Sequence, residues 1–148
     1  MKNNIHGFNP SEVIDLYHYL CIYENNIAKI YSQKNLINMY PKLKDIDQLM
    51  AGIVCNFCNI ESLEIIGLAP MDNLISMTKS RNSKQLSFLH HLRNSIAHGQ
   101  IEKDGNFIHL LDYGYDKNKK KIFSARGKIK SSLLFKIVKL TNKNIDLL

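Results

Sequence analysis

The amino-acid sequence predicts a mainly α protein: a bundle of four to five helices with a small β-hairpin or three-stranded appendage between the last two. Three observations carry this. Capping signals stand in front of amphipathic runs at three places, a tight-turn dipeptide follows the third run, and an amphipathic stretch closes the chain. The 148 residues suffice for one domain with its own core, and an apolar content of 45% places the chain among globular rather than disordered sequences.

The first helix begins at Asn9-Pro10-Ser11-Glu12, where Asn9 caps, Pro10 suits the first helical position and Glu12 reaches back. Val13, Leu16, Tyr17, Leu20, Ile27 and Ile30 follow at helical spacing, and the helix is expected to end before Pro41. The second starts at Asp45-Ile46-Asp47-Gln48, carries Leu49, Met50, Ile53, Val54 and Phe57, and is expected to stop at Gly67. Pro70 opens a short third helix to about Lys79. The fourth begins at Asn82-Ser83-Lys84-Gln85, runs to His98 and stops at Gly99, with Phe88, Leu89, Leu92 and Ile96 as its apolar stripe. Asp104-Gly105 predicts a hairpin of Gln100–Lys103 with Asn106–Asp112, and Ile122–Arg126 is a candidate third strand. Leu133, Leu134, Ile137, Val138 and Leu140 mark the closing helix. The expected organisation is one domain over 1–148, with the bundle at roughly 9–99, the appendage at roughly 100–127 and the closing helix at roughly 129–145.

Charge is uneven. Residues 1–78 hold five basic and eight acidic side chains, and residues 79–148 hold fifteen and five. The basic half suits a polyanion, which would gain from counterion release; a solvated lysine-rich surface is the alternative. Three cysteines (Cys21, Cys55 and Cys58), the absence of an apolar run after Lys2 and the shortness of all apolar stretches lead to an expectation of free thiols, a cytoplasmic location and no membrane partner. The Cys55-Asn56-Phe57-Cys58 pair lies inside a predicted helix without a second pair, so packing is favoured over metal or redox use. No metal site and no cofactor are expected. Gly127-Lys128 lacks the remainder of a phosphate loop.

The chemistry concentrates in His90-His91-Leu92-Arg93-Asn94-Ser95-Ile96-Ala97-His98-Gly99. At helical spacing His91, Asn94 and His98 share the face opposite Leu89, Leu92 and Ile96, with Ser87 beside them. That face is expected to be wet in a monomer, or a seam in a dimer. Arg93 and His98 lie about 140° apart around an ideal helix, so they meet on one ligand only if Arg93 curls, the helix end distorts or a partner supplies one of them. His98 falls in the last turn, where the helix dipole favours an imidazolium that can donate as well as accept a proton.

Leu92-Arg93-Asn94-Ser95-Ile96-Ala97-His98-Gly99 resembles the signature of the HEPN superfamily, an Arg, a following polar residue and a His four to six positions on. The resemblance implies an HEPN-like bundle of four to five helices, a homodimer through the motif helix, and metal-independent endoribonuclease activity in a toxin or defence effector. It implies an antitoxin or defence-system partner, and the hairpin after the motif resembles a plasmid- and phage-associated branch. It gives Arg93 to the transition-state phosphate, His98 to acid–base chemistry and Asn94 to positioning. Cleavage by 2′-hydroxyl attack needs a base and an acid, which two protomers would supply. The position two after the histidine, a modifiable Tyr in some members, is Gln100 here. His91 is a candidate to line the RNA cleft. Lys119, Lys120 and Lys121 are candidates for RNA backbone contact, with a solvated turn as the other reading. Tyr113, Tyr115 and Phe123 could stack on bases or pack the sheet on the bundle. The alternative function is a non-catalytic HEPN module binding RNA, a nucleotide or a protein; a purely structural helical domain ranks last.

Overall fold

A computed structural model describes residues 6–66 and 73–145. Helix α1 (Pro10–Ile22) starts as expected: Asn9 accepts from the Glu12 backbone at 2.9 Å and Glu12 accepts from the Asn9 backbone at 3.0 Å. It widens into a π-turn at Tyr23–Ile27, and a break follows before α2 (Gln33–Met39), which Ser32 caps. One continuous helix to Pro41 is therefore not what forms. A 3₁₀ turn at Pro41–Lys44 leads into α3 (Asp45–Met50).

The larger correction concerns residues 46–79. Helix α3 ends before Gly52, strand β1 occupies Val54–Phe57, and α4 spans Ile60–Ile66. Strand β2 (Leu74–Met77) stands where a third helix was expected; the opening of that helix, at Pro70, falls outside the described residues. All four residues of β2 are buried, so its sequence lacks the alternation of a half-exposed strand. Short apolar runs of this kind read as helix or strand with equal ease until the pairing partner is known.

Helix α5 (Lys84–Ala97) is capped by Ser83 and followed by β3 (Ile101–Asp104), β4 (Phe107–Tyr115), β5 (Lys121–Lys130) and α6 (Ser131–Asn144). The expected appendage thus supplies three strands of a five-stranded sheet ordered β1-β2-β5-β4-β3. Strands β1 and β2 run parallel and the other neighbours antiparallel. The described residues form a mixed α/β fold, and a mainly α bundle with a small hairpin is ruled out. The physical reason is long-range pairing: Leu74–Met77 closes against Lys128–Ala125, partners 48 to 54 positions apart.

The sheet has two different faces. Ile108, Leu110 and Asp112 of β4 and Ala125, Gly127 and Ile129 of β5 are buried. Asp112 bonds to α5, so these residues face that helix. Arg126, the intervening residue of β5, points the other way and donates to the Leu63 carbonyl of α4 at 2.9 Å. Gly127 is needed where β2 and β5 meet, because a Cβ there would lie 2.9 Å from that of Ile75. Among the described residues no helix is long and apolar enough to cross a membrane.

Candidate functional site

Helix α5 is buried on both sides. Phe88, Leu89 and Leu92 join the core, and Ser87, His91 and Ser95 are equally buried. The polar face expected to be wet lies against β4 and the loop before α5, where its groups find partners. Ser95 Oγ donates to the Leu111 carbonyl, and Ser87 Oγ accepts from the Arg81 backbone at 3.0 Å. His91 stands between Asp112, with Nδ1 to Oδ2 at 2.8 Å, and the Thr78 carbonyl, with Nε2 to O at 2.8 Å. Both ring nitrogens are thus engaged. With 2% exposure and no nitrogen to spare, His91 does not line an open cleft; it anchors the motif helix to the sheet.

Asn94 lies one turn further along. Its amide nitrogen donates to Asp112 Oδ2 at 3.0 Å, and its amide oxygen accepts from Arg93 Nη1 at 2.8 Å. Burial pushes the Asp112 carboxyl up, but the hydrogen bonds from His91 and Asn94 outweigh it and hold the group below its ordinary value. Arg93 also donates through Nε to Glu24 on the π-turn, so its guanidinium is held from two sides. This ion pair is partly exposed, at 30% for Arg93 and 45% for Glu24.

His90 completes the cluster. Its Nε2 lies 3.2 Å from the Asn94 amide nitrogen and its Nδ1 3.3 Å from the Tyr23 hydroxyl. Asn94 donates there, so Nε2 carries the lone pair and Nδ1 the proton. The ring is pushed down to about 4 by burial first and then by the charges of Arg81, His91 and Arg93, against the pull of Asp112. At neutral pH it is an uncharged imidazole that fixes the Asn94 amide. Burial likewise raises Tyr23, with Arg81 and Arg93 opposing.

His98 is the C-cap of α5, at φ −98° and ψ 4°. Gly99 follows in the left-handed region at φ 65°. Its backbone N–H reaches Ile96 O at 3.2 Å, and that of Gln100 reaches Ser95 O at 2.8 Å, the two bonds of a Schellman turn. The turn leaves the His98 side chain in solvent, without a hydrogen bond to Arg93 or Asn94. Within one chain Arg93 and Asn94 are brought together and His98 stays apart at the helix end. Gln100 clamps β4: its amide nitrogen donates to Tyr113 O at 3.1 Å and its amide oxygen accepts from Tyr113 N at 2.9 Å.

Matched against known protein families, the chain fits the HEPN pEK499 p136 family over residues 2–144. It belongs to this HEPN family. No curated protein and no solved structure matches it.

Tyr23, Glu24, Arg81 and Asp112 join this cluster from outside the His90–Gly99 stretch, and only one of them carries a local sequence signal. Asp112 is an acid at an inward position of an otherwise apolar strand, after Ile108 and Leu110. The Lys117–Lys121 segment is a turn built on Asp116, whose carboxylate accepts from the Asn118 and Lys120 backbones at 2.8 and 2.9 Å. Lys119 lies in it at φ 62°, and Lys121 leaves it to lie over the Tyr113 ring. The Cys55–Cys58 pair sits on and just after β1 rather than in a helix, and burial raises both thiols. Among the described residues no three His, Cys, Asp or Glu side chains converge in a way that could hold a metal ion.

Proposed function

We propose that this HEPN protein is an endoribonuclease that cuts RNA by metal-independent acid–base chemistry at a site completed by a second copy, acting as a toxin or defence effector. The carrying observation is the held Arg93–Asn94 pair on the same helix as a solvent-exposed His98, in a chain of this family. In this reading one His98 takes the proton from a ribose 2′-hydroxyl, whose oxygen attacks the adjacent phosphorus. The bond to the 5′-oxygen breaks, and the His98 of the second copy protonates that oxygen. The products are a 2′,3′-cyclic phosphate and a 5′-hydroxyl. Arg93 stabilises the charge gathering on the phosphate, and Asn94 positions it.

A second copy is supported by the separation of His98 from the pair. It is also supported by apolar surface beside the motif, where Tyr17 is 63% exposed and lines a groove of about 220 Å³ with Ile96 and Ala97. Purified protein incubated with total RNA and transfer RNA in EDTA, beside His98→Ala and Arg93→Ala, tests the reading. Cutting by the unaltered protein alone, with cyclic-phosphate ends, is the expected result. Equal cutting by the variants overturns it.

One observation favours a second reading. Glu24 neutralises Arg93, as suits a module that binds RNA or a protein without cleaving it. Binding without cutting by a folded, dimeric sample would select that reading.

A further inference from the structure

The sheet face turned away from α5 carries an array of rings and cations that the acid–base site does not use. Tyr113 of β4 and Phe123 of β5 stand directly opposite one another, with ring centroids 5.5 Å apart, and Tyr115 extends the row edge-on to Tyr113 at 6.0 Å. The irregularity after Asp112 makes this possible. Ser124 is the extra residue on β5, and it puts Phe123 on the outward face opposite Tyr113 instead of in line with the inward Ala125. Lys121 Nζ lies 4.2 Å from the Tyr113 ring centre, and the Arg126 guanidinium 4.0 Å from that of Phe123. Tyr113 and Phe123 are half-buried on this face and Tyr115 is exposed.

The array is joined to the motif. Gln100, two residues after His98, holds the Tyr113 backbone through its side chain and the Leu111 N–H through its own carbonyl at 3.1 Å. A cleft of about 170 Å³ runs between Gly99, Gln100, Tyr113 and His109.

We propose that this face binds the single-stranded RNA next to the scissile phosphate. Bases stack along the Tyr115–Tyr113–Phe123 row, phosphates lie against Lys121, and the strand crosses the cleft to His98. The inference rests on the reading of the motif as an RNA site. Three features select this occupant. A cluster of three rings offers stacking surface to unpaired bases, which every nucleobase can use through its π-face. The exposed Lys121 supplies a charge complement to a phosphate backbone. An apolar protein partner would have to strip water from the exposed Lys121, and duplex RNA keeps its bases stacked inside.

The test uses the full chain carrying His98→Ala, so that bound RNA is not consumed. Binding of a fluorescein-labelled unstructured 12-nucleotide RNA is followed by anisotropy. Tyr113→Leu and Phe123→Leu keep apolar bulk but remove the ring, Lys121→Gln removes one cation at an exposed position, and thermal melts verify folding. The expected result is about 5- to 100-fold weaker binding for each ring variant, a shallower salt dependence for Lys121→Gln, and poor competition by an RNA duplex of equal length. Unchanged affinity in both folded ring variants, equal competition by the duplex, or no binding of any RNA overturns the proposal. Binding that depends on the rings, beside an unaltered protein that cuts nothing, upholds the platform and removes the nuclease reading. Cutting with ring-independent binding does the reverse.

Discussion

The Asp112 carboxylate of β4 accepts a hydrogen bond from His91 Nδ1 of α5 at 2.8 Å, and both side chains are almost wholly buried. The same oxygen accepts from Asn94 at 3.0 Å, so one acid in the sheet fixes the helix that carries the HEPN motif. Removing one partner of a buried, hydrogen-bonded pair strands the other. Asp112→Ala is expected to lose about 3–5 kcal/mol of stability, read from the denaturant midpoint. A loss below about 1 kcal/mol would show that the pair carries little of the fold.

Glu24 competes with any phosphate for Arg93. The pair is partly exposed and worth at most about 1 kcal/mol, so it yields readily. Glu24→Gln should leave stability nearly unchanged while strengthening RNA binding about two- to fivefold. Anisotropy on the His98→Ala background measures this. Weaker binding would mean that Glu24 aligns Arg93 rather than occupying it.

His90 gives the fold an acid-sensitive window. Its folded value of about 4 lies below the ordinary 6.5, so between these values the unfolded chain holds a proton that the folded chain does not. Stability from this group is complete above about pH 6.5 and falls as pH drops towards 4. Asp112, held below its ordinary value of 3.8, loses its contribution only at still lower pH. Discounted for partial contact of the His90 ring with water, the window is worth about 1–2 kcal/mol. His90→Gln should flatten the decline in melting temperature between pH 6.5 and 4. An unchanged slope would assign the decline to other groups.

Gln100 stands where some relatives of the motif carry a modifiable Tyr, and here its amide takes the place of a peptide group beside Tyr113. Gln100→Ala is expected to cost about 1–2 kcal/mol through two lost hydrogen bonds. It should also weaken RNA binding if Tyr113 is the stacking residue. Full stability in a thermal melt would show that water replaces the amide without loss.

The helix starts at Asn9 and Ser83, the stop at Gly99 and the hairpin at Asp104-Gly105 were legible because each is decided within a few residues, by a cap, a left-handed glycine or a tight turn. The strands at Val54–Phe57 and Leu74–Met77 were not, because their conformation depends on partners far along the chain. The polar face of α5 was read as wet for a related reason. Periodicity separates polar from apolar, but it cannot tell water from a buried Asp112, Thr78 carbonyl or Leu111 carbonyl.

Local chemistry was enough to single out Arg93, Asn94 and His98 and to place them on one helix ending at a glycine, since motif spacing and capping are short-range properties. Tertiary structure alone decided that the helix lies on a five-stranded sheet and that Glu24 from a distant turn holds Arg93. It also decided that His91 is an anchor and that a row of rings and cations leads to the motif. Each of these rests on pairings between residues many positions apart, which acquire a partner only once the chain has closed on itself.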